Sequence, residues 1–87
     1  MRYGIIGICI SPGHTPDSVN KILGENHQII LGRMGMPIKG SDARLISLLV
    51  EGDTDAIGRL AGRVGELDGV EIKSMLMKSD VGLVSCE

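Results

Sequence analysis

With 87 residues and a net charge of −2, the chain has room for one hydrophobic core and no second one. Nine Lys and Arg against eleven Asp and Glu are interspersed, with no basic block and no interleaved aromatics, so direct nucleic-acid binding is not expected. Two cysteines exclude a disulfide framework, and no apolar run approaches the ~18–20 residues that span a bilayer, so a cytoplasmic setting without a membrane partner is expected.

Phe and Trp are absent and Tyr3 is the one aromatic residue, so the core must be aliphatic, with five methionines available to fill irregular gaps. Thirteen glycines are spread without a repeat, which excludes collagen-like and linker readings.

Tyr3 to Ile10 is short and dense in Ile, as in a strand buried on both faces. Pro12-Gly13 marks a turn. Thr15-Pro16-Asp17 then reads as a helix start, with Thr15 as N-cap and Pro16 in the first helical position. Val19, Ile22 and Leu23 form its apolar stripe, and the helix is expected to end near Glu25–His27. Gln28 to Met36 is the second strand, stopped by Pro37. Lys39 to Asp42 makes a loop, and Ala43 to Glu51 is a third, strongly apolar strand. Asp53 is a good N-cap for a second helix, whose Ile57, Leu60, Ala61, Val64 and Leu67 recur at helical spacing. Gly58, Gly62 and Gly65 each cost ~1 kcal/mol against Ala in a helix interior, which suggests either close approach to another backbone or a plain small-residue surface. Asp68-Gly69 is a turn. Val70 to Lys78 is the fourth strand, with Val70, Ile72 and Leu76 opposing Glu71, Lys73, Met75 and Met77.

The β-α-β-β-α-β order is the split β-α-β, ferredoxin-like pattern: an α+β sandwich with a four-stranded antiparallel sheet and two helices on one face. The expected strand order is fourth, first, third, second. Residues 1–78 are expected to form a single domain. Residues 79–87 form a tail in which Val81, Leu83 and Val84 suggest docking, with an added strand as one option.

Both helices must cover one sheet face, yet neither set of alternating strand residues reads as solvated. Ile46, Leu48 and Val50 oppose Leu45, Ser47 and Leu49, while Ile30, Gly32 and Met34 oppose Ile29, Leu31 and Arg33. The second face is therefore expected to pack against another copy, giving a homo-oligomer, dimer or tetramer, through the open sheet face.

Chemistry is sparse. Ser11, Ser47, Cys9 and Cys86 have no adjacent His, and Lys39-Gly40-Ser41 lacks the rest of a P-loop. His14 and His27 flank the first helix without further ligands at metal-binding spacing, so no metal or other cofactor is expected. A metal-responsive sensor would have to recruit these histidines from different protomers, and an enzyme of the dimeric ferredoxin-like type would need a polar cleft. Arg33 lies in the small, apolar run Gly32-Arg33-Met34-Gly35. Its five donors can grip a carboxylate or phosphate, which makes Gly32, Arg33 and Gly35 the candidate ligand-binding residues; an ion pair with a neighbouring protomer is the other reading.

The run GRMGMP (residues 32–37) followed by ISLLVEGDTDAIGRLAGRVGELDGVEIKSMLMK (residues 46–78) resembles the small proteins described as regulators of iron-only hydrogenase systems, over about residues 3–78. That family is similar in fold to ACT-type regulatory domains and to the C-terminal domain of the nickel-responsive repressor. The resemblance implies a regulatory module, not an enzyme, that assembles through its sheet and binds a small effector or a protein partner between copies. The nickel ligands do not carry over, because no Cys or His occurs between Gln28 and Glu51. The chain begins directly in its first strand, so the repressor's DNA-contacting ribbon-helix-helix segment is not expected either.

Overall fold

The computed structural model describes residues 1–77. Strand β1 spans Arg2–Ile10, helix α1 Asp17–Glu25, β2 Ile30–Pro37, β3 Arg44–Gly52, helix α2 Thr54–Gly65 and β4 Val70–Leu76. The sheet order is β2-β3-β1-β4 and every neighbouring pair is antiparallel, which is the ferredoxin-like arrangement expected from the sequence. The tail at 79–87, with its expected docking residues, lies outside the described residues.

The core is aliphatic. Ile6, Ile8 and Ile10 of β1 and Ile46, Leu48 and Val50 of β3 line one face of the two central strands. Val19, Ile22 and Leu23 of α1 and Ile57, Leu60 and Val64 of α2 close over them. Successive strand residues point to opposite faces, so these alternating sets place both helices on the same side. Only one face of β1 is closed in this way: on the other, Ile5 is 40% exposed.

Local chemistry fixes the ends of the elements. Asp53 Oδ1 accepts from the Ala56 backbone N–H at 2.7 Å, capping α2 as its sequence predicts. α1 starts differently from expectation. Pro16, not Thr15, occupies the cap position, no side chain caps the helix, and the first helical residue is Asp17. The N–H of Asn20 closes the first turn on the Pro16 carbonyl at 2.8 Å. Residues His27–Ile29 form a single 3-10 turn where the second strand was expected to begin, and Pro37 is its last residue rather than the residue after it.

At the α2–β4 turn Gly69 has φ +73°, a left-handed conformation that costs other residues ~1 kcal/mol or more. The His14 ring also fills the space that a Cβ at Gly69 would need, and the Gly69 carbonyl accepts from the Ser11 N–H at 2.7 Å. The β1–α1 loop is thus pinned to the turn before β4. In α2, close approach accounts for Gly65, whose Cβ position lies 3.2 Å from Ile72 Cγ2. Gly58 and Gly62 face open space.

The main departure from simple alternation is a bulge in β2. Ile30 pairs with Val50, but Gly32 pairs with Leu49, so Leu31 is an extra residue. Beyond the bulge Arg33 stands opposite Leu48 and Gly35 opposite Ile46. The expected grouping of Ile30 with Gly32 and Met34 is therefore wrong. Ile30, Arg33 and Gly35 share the helix side, while Gly32, Met34 and Met36 share the open side with Leu49, Ser47 and Leu45. A bulge shifts every later side chain to the other face, and here it keeps Ile30 against the core while turning both methionines outward.

Candidate functional site

Two surfaces remain once the core is assigned. The first is the sheet face away from the helices. From β2 it presents Leu31, Met34 and Met36; from β3 Leu45 and Leu49; from β1 Ile5; and from β4 Met75, with Met77 just beyond. All are between 40% and 66% exposed. The strand register aligns them in rows across the sheet. Gly32, Leu49, Ile5 and Met75 make one row, Met34, Ser47, Gly7 and Lys73 the next, and Met36, Leu45, Cys9 and Glu71 a third. The middle row has small residues at its centre, so the face is a shallow trough between apolar ridges. Its charges are Glu71 and Lys73, together on the β4 margin, and Glu51 at the end of β3, which pairs with Tyr3 in the row beyond Leu49.

The second surface is a cleft of about 250 Å³ between α1 and the β2–β3 hairpin, lined by Pro16, Asn20, Arg33, Gly35, Met36, Arg44 and Ile46. Arg33 Nη2 donates to Asn20 Oδ1 at 2.8 Å. This bond exists because the bulge puts Arg33 on the helix side; on the other face it would point away from α1.

The three candidate ligand residues are thereby divided. Arg33 and Gly35 share the cleft, whereas Gly32 looks onto the open face, in a depression with Met34, Ser47 and Leu49 that Arg33 also borders. Sequence reasoning missed Asn20 and Arg44. Arg44 is recoverable by pairing outward from the hairpin loop, because its partner Pro37 is two residues from Gly35. Asn20 had no signal beyond its place one residue after the buried Val19.

The two histidines stay apart. His14 lies against Gly69 in a recess of mixed polarity with Thr15, Ser18, Leu67 and Asp68, while His27 Nδ1 meets the Gly24 carbonyl at 3.1 Å beyond the other end of α1. Among the described residues no three His, Cys, Asp or Glu side chains gather where they could hold a metal ion, and no helix is long and apolar enough to cross a membrane.

Comparison with known proteins gives the family and the fold. Residues 2–74 match the family model described as "TM1266-like: Iron-only hydrogenase system regulator, putative". The solved structure of the uncharacterized protein TM1266 from Thermotoga maritima is similar with a TM-score of 0.82 and 31% identity, over 88% of this chain and 98% of that one. A formyltetrahydrofolate deformylase from Pseudomonas putida KT2440 shares the fold at 19% identity and a TM-score of 0.55, over 85% of this chain but 28% of that one. No curated protein matches.

Proposed function

This chain belongs to the TM1266-like family, whose members are described as iron-only hydrogenase system regulators, and from that premise we propose that it is a cytoplasmic regulatory module working as a homo-oligomer. Its protomers associate through the open sheet face, and a small effector bound near the β2 edge adjusts its contact with the hydrogenase system. It acts by binding rather than by catalysis.

The observation that carries this reading is the apolar open face. Four strands ~4.8 Å apart and about eight residues long at ~3.3 Å each give a face of roughly 500 Å² in projection. Allowing for side-chain relief, that approaches the ~800 Å² per partner of a standard stable interface. The largest apolar patch on a soluble protein, typically about 300–600 Å², is often functional. A second copy suits the face for two reasons. A two-fold dimer uses the same patch twice, so the apolar rows of one copy meet the same rows of the other. The margin also carries Glu71 and Lys73, one of each sign, which a two-fold copy can pair.

Thermal unfolding tests this. A protein whose native state is an oligomer has a midpoint that rises with protein concentration, by mass action. The midpoint is expected to climb across a hundredfold concentration series; a midpoint independent of concentration contradicts the assembly.

A further inference from the structure

We propose that the cleft between α1 and the β2–β3 hairpin binds a small oxyanion, a carboxylate or phosphate group, held between Arg33 and Arg44. The inference deepens the regulatory reading by giving its effector a chemical class, and it rests on that reading only for the word effector.

The register supplies the geometry. Arg33 stands opposite Leu48, Gly35 opposite Ile46 and Arg44 opposite Pro37, all on the helix side of the sheet. Same-face residues along a strand are ~6.6–6.8 Å apart, so the two arginines start one row to either side of Gly35. Gly35 has no side chain to fill the gap, and its Cβ position is bounded by Ile46 Cγ1 at 3.6 Å. Gly35 and Ile46 line the cleft together with both arginines. Asn20 Oδ1 takes one Arg33 N–H, which steadies that guanidinium and leaves its other donors for a ligand.

The charges point the same way. The lining holds two cations and no carboxylate, and among the described residues neither Arg33 nor Arg44 forms an ion pair with an acid. Arg63, by contrast, is paired with Glu25 at 2.9 Å. Two guanidiniums on one cleft wall repel each other, and an oxyanion between them removes that repulsion while accepting directed hydrogen bonds from both. At about 250 Å³ the cleft is slightly smaller than the usual range for drug-sized ligands, which fits a phosphate or a short carboxylic acid better than a nucleotide.

The test is calorimetric titration of the full chain with inorganic phosphate and with succinate, each at matched ionic strength against chloride. Saturable binding of at least one is expected. Arg33→Gln and Arg44→Gln should each weaken it by about tenfold or more, as loss of a charge-assisted hydrogen bond does. Arg59→Gln, on the solvent side of α2, should leave it unchanged. Which anion binds more tightly identifies the source as phosphate or carboxylate. No saturable response to either anion, or a response that survives Arg44→Gln, overturns the proposal. Sedimentation of the same samples separates this from the assembly: Arg44 lies off the open face, so Arg44→Gln should remain oligomeric. A wild-type chain that is monomeric yet binds anion through Arg44 would keep the cleft and remove the oligomer.

Discussion

Replacing Leu49 by Glu should leave the protomer folded and weaken self-association by about a hundredfold to a thousandfold. Leu49 lies in the open-face row between Ile5 and Gly32 and is 51% exposed in the single chain. In a folded monomer its substitution by a charged residue is a surface change, within about 0.5 kcal/mol. Across a sheet-to-sheet interface the same carboxylate is buried without a cationic partner, because its same-face neighbours on β3 are Ser47 and the acidic Glu51 and Lys73 sits at the far margin. An unpaired buried charge costs roughly 3–5 kcal/mol, and each 1.4 kcal/mol is tenfold in affinity. Light scattering should show the variant as a monomer at concentrations where the wild type is associated, with an unchanged far-ultraviolet circular dichroism spectrum. If the Leu49→Glu variant associates as well as the wild type, the open face is not the interface.

A second large effect is expected at Gly4, inside the sheet. A Cβ built there lies 2.7 Å from the Met75 carbonyl oxygen and 2.7 Å from Leu76 Cδ2. The leucine methyl can swing aside, but the carbonyl is fixed by the β1–β4 ladder, in which Gly4 pairs with Leu76. Gly4→Ala must therefore push β4 away from β1, an overpacking that should cost about 2–3 kcal/mol. A domain of this size has of order 5–10 kcal/mol in total, so the loss is a large share. Gly7→Ala is the control. Its nearest neighbour is the Lys73 carbonyl at 4.0 Å, an ordinary contact, so its effect on protomer stability should be under about 1 kcal/mol. Urea unfolding should separate the two variants clearly. A Gly4→Ala protein as stable as the wild type would mean that β1 and β4 do not pair in this register.

The fold was legible because its signals are periodic. The i, i+3, i+4 stripe of α2 and the Ile-rich run of β1 each name an element, and their order admits few topologies. The apolar character of the open face was also readable, since Leu45 and Leu49 alternate with Ile46, Leu48 and Val50, and Met75 and Met77 alternate with Leu76.

What strict alternation could not supply was the bulge at Leu31. In the run ILGRMGMP neither face is polar, so a one-residue slip leaves no mark on the pattern. That slip decides the site: it moves Arg33 to Asn20 and Gly35 to Ile46, and turns Gly32 to the open face. Arg44 was hidden for another reason. Its relation to Arg33 exists only across a hairpin, and the length of the loop, from Ile38 to Ala43, fixes which residues face each other. Periodicity identifies elements, whereas a site built across strands depends on register, which here is set by hydrogen bonds in the loop and by the bulge.

Sedimentation velocity of the wild-type chain at micromolar concentration tests the central claim most directly. The protomer has a mass of 9.2 kDa. Packing of the open sheet faces predicts a principal species of at least twice that mass, while a single 9.2 kDa species across the micromolar range would contradict it.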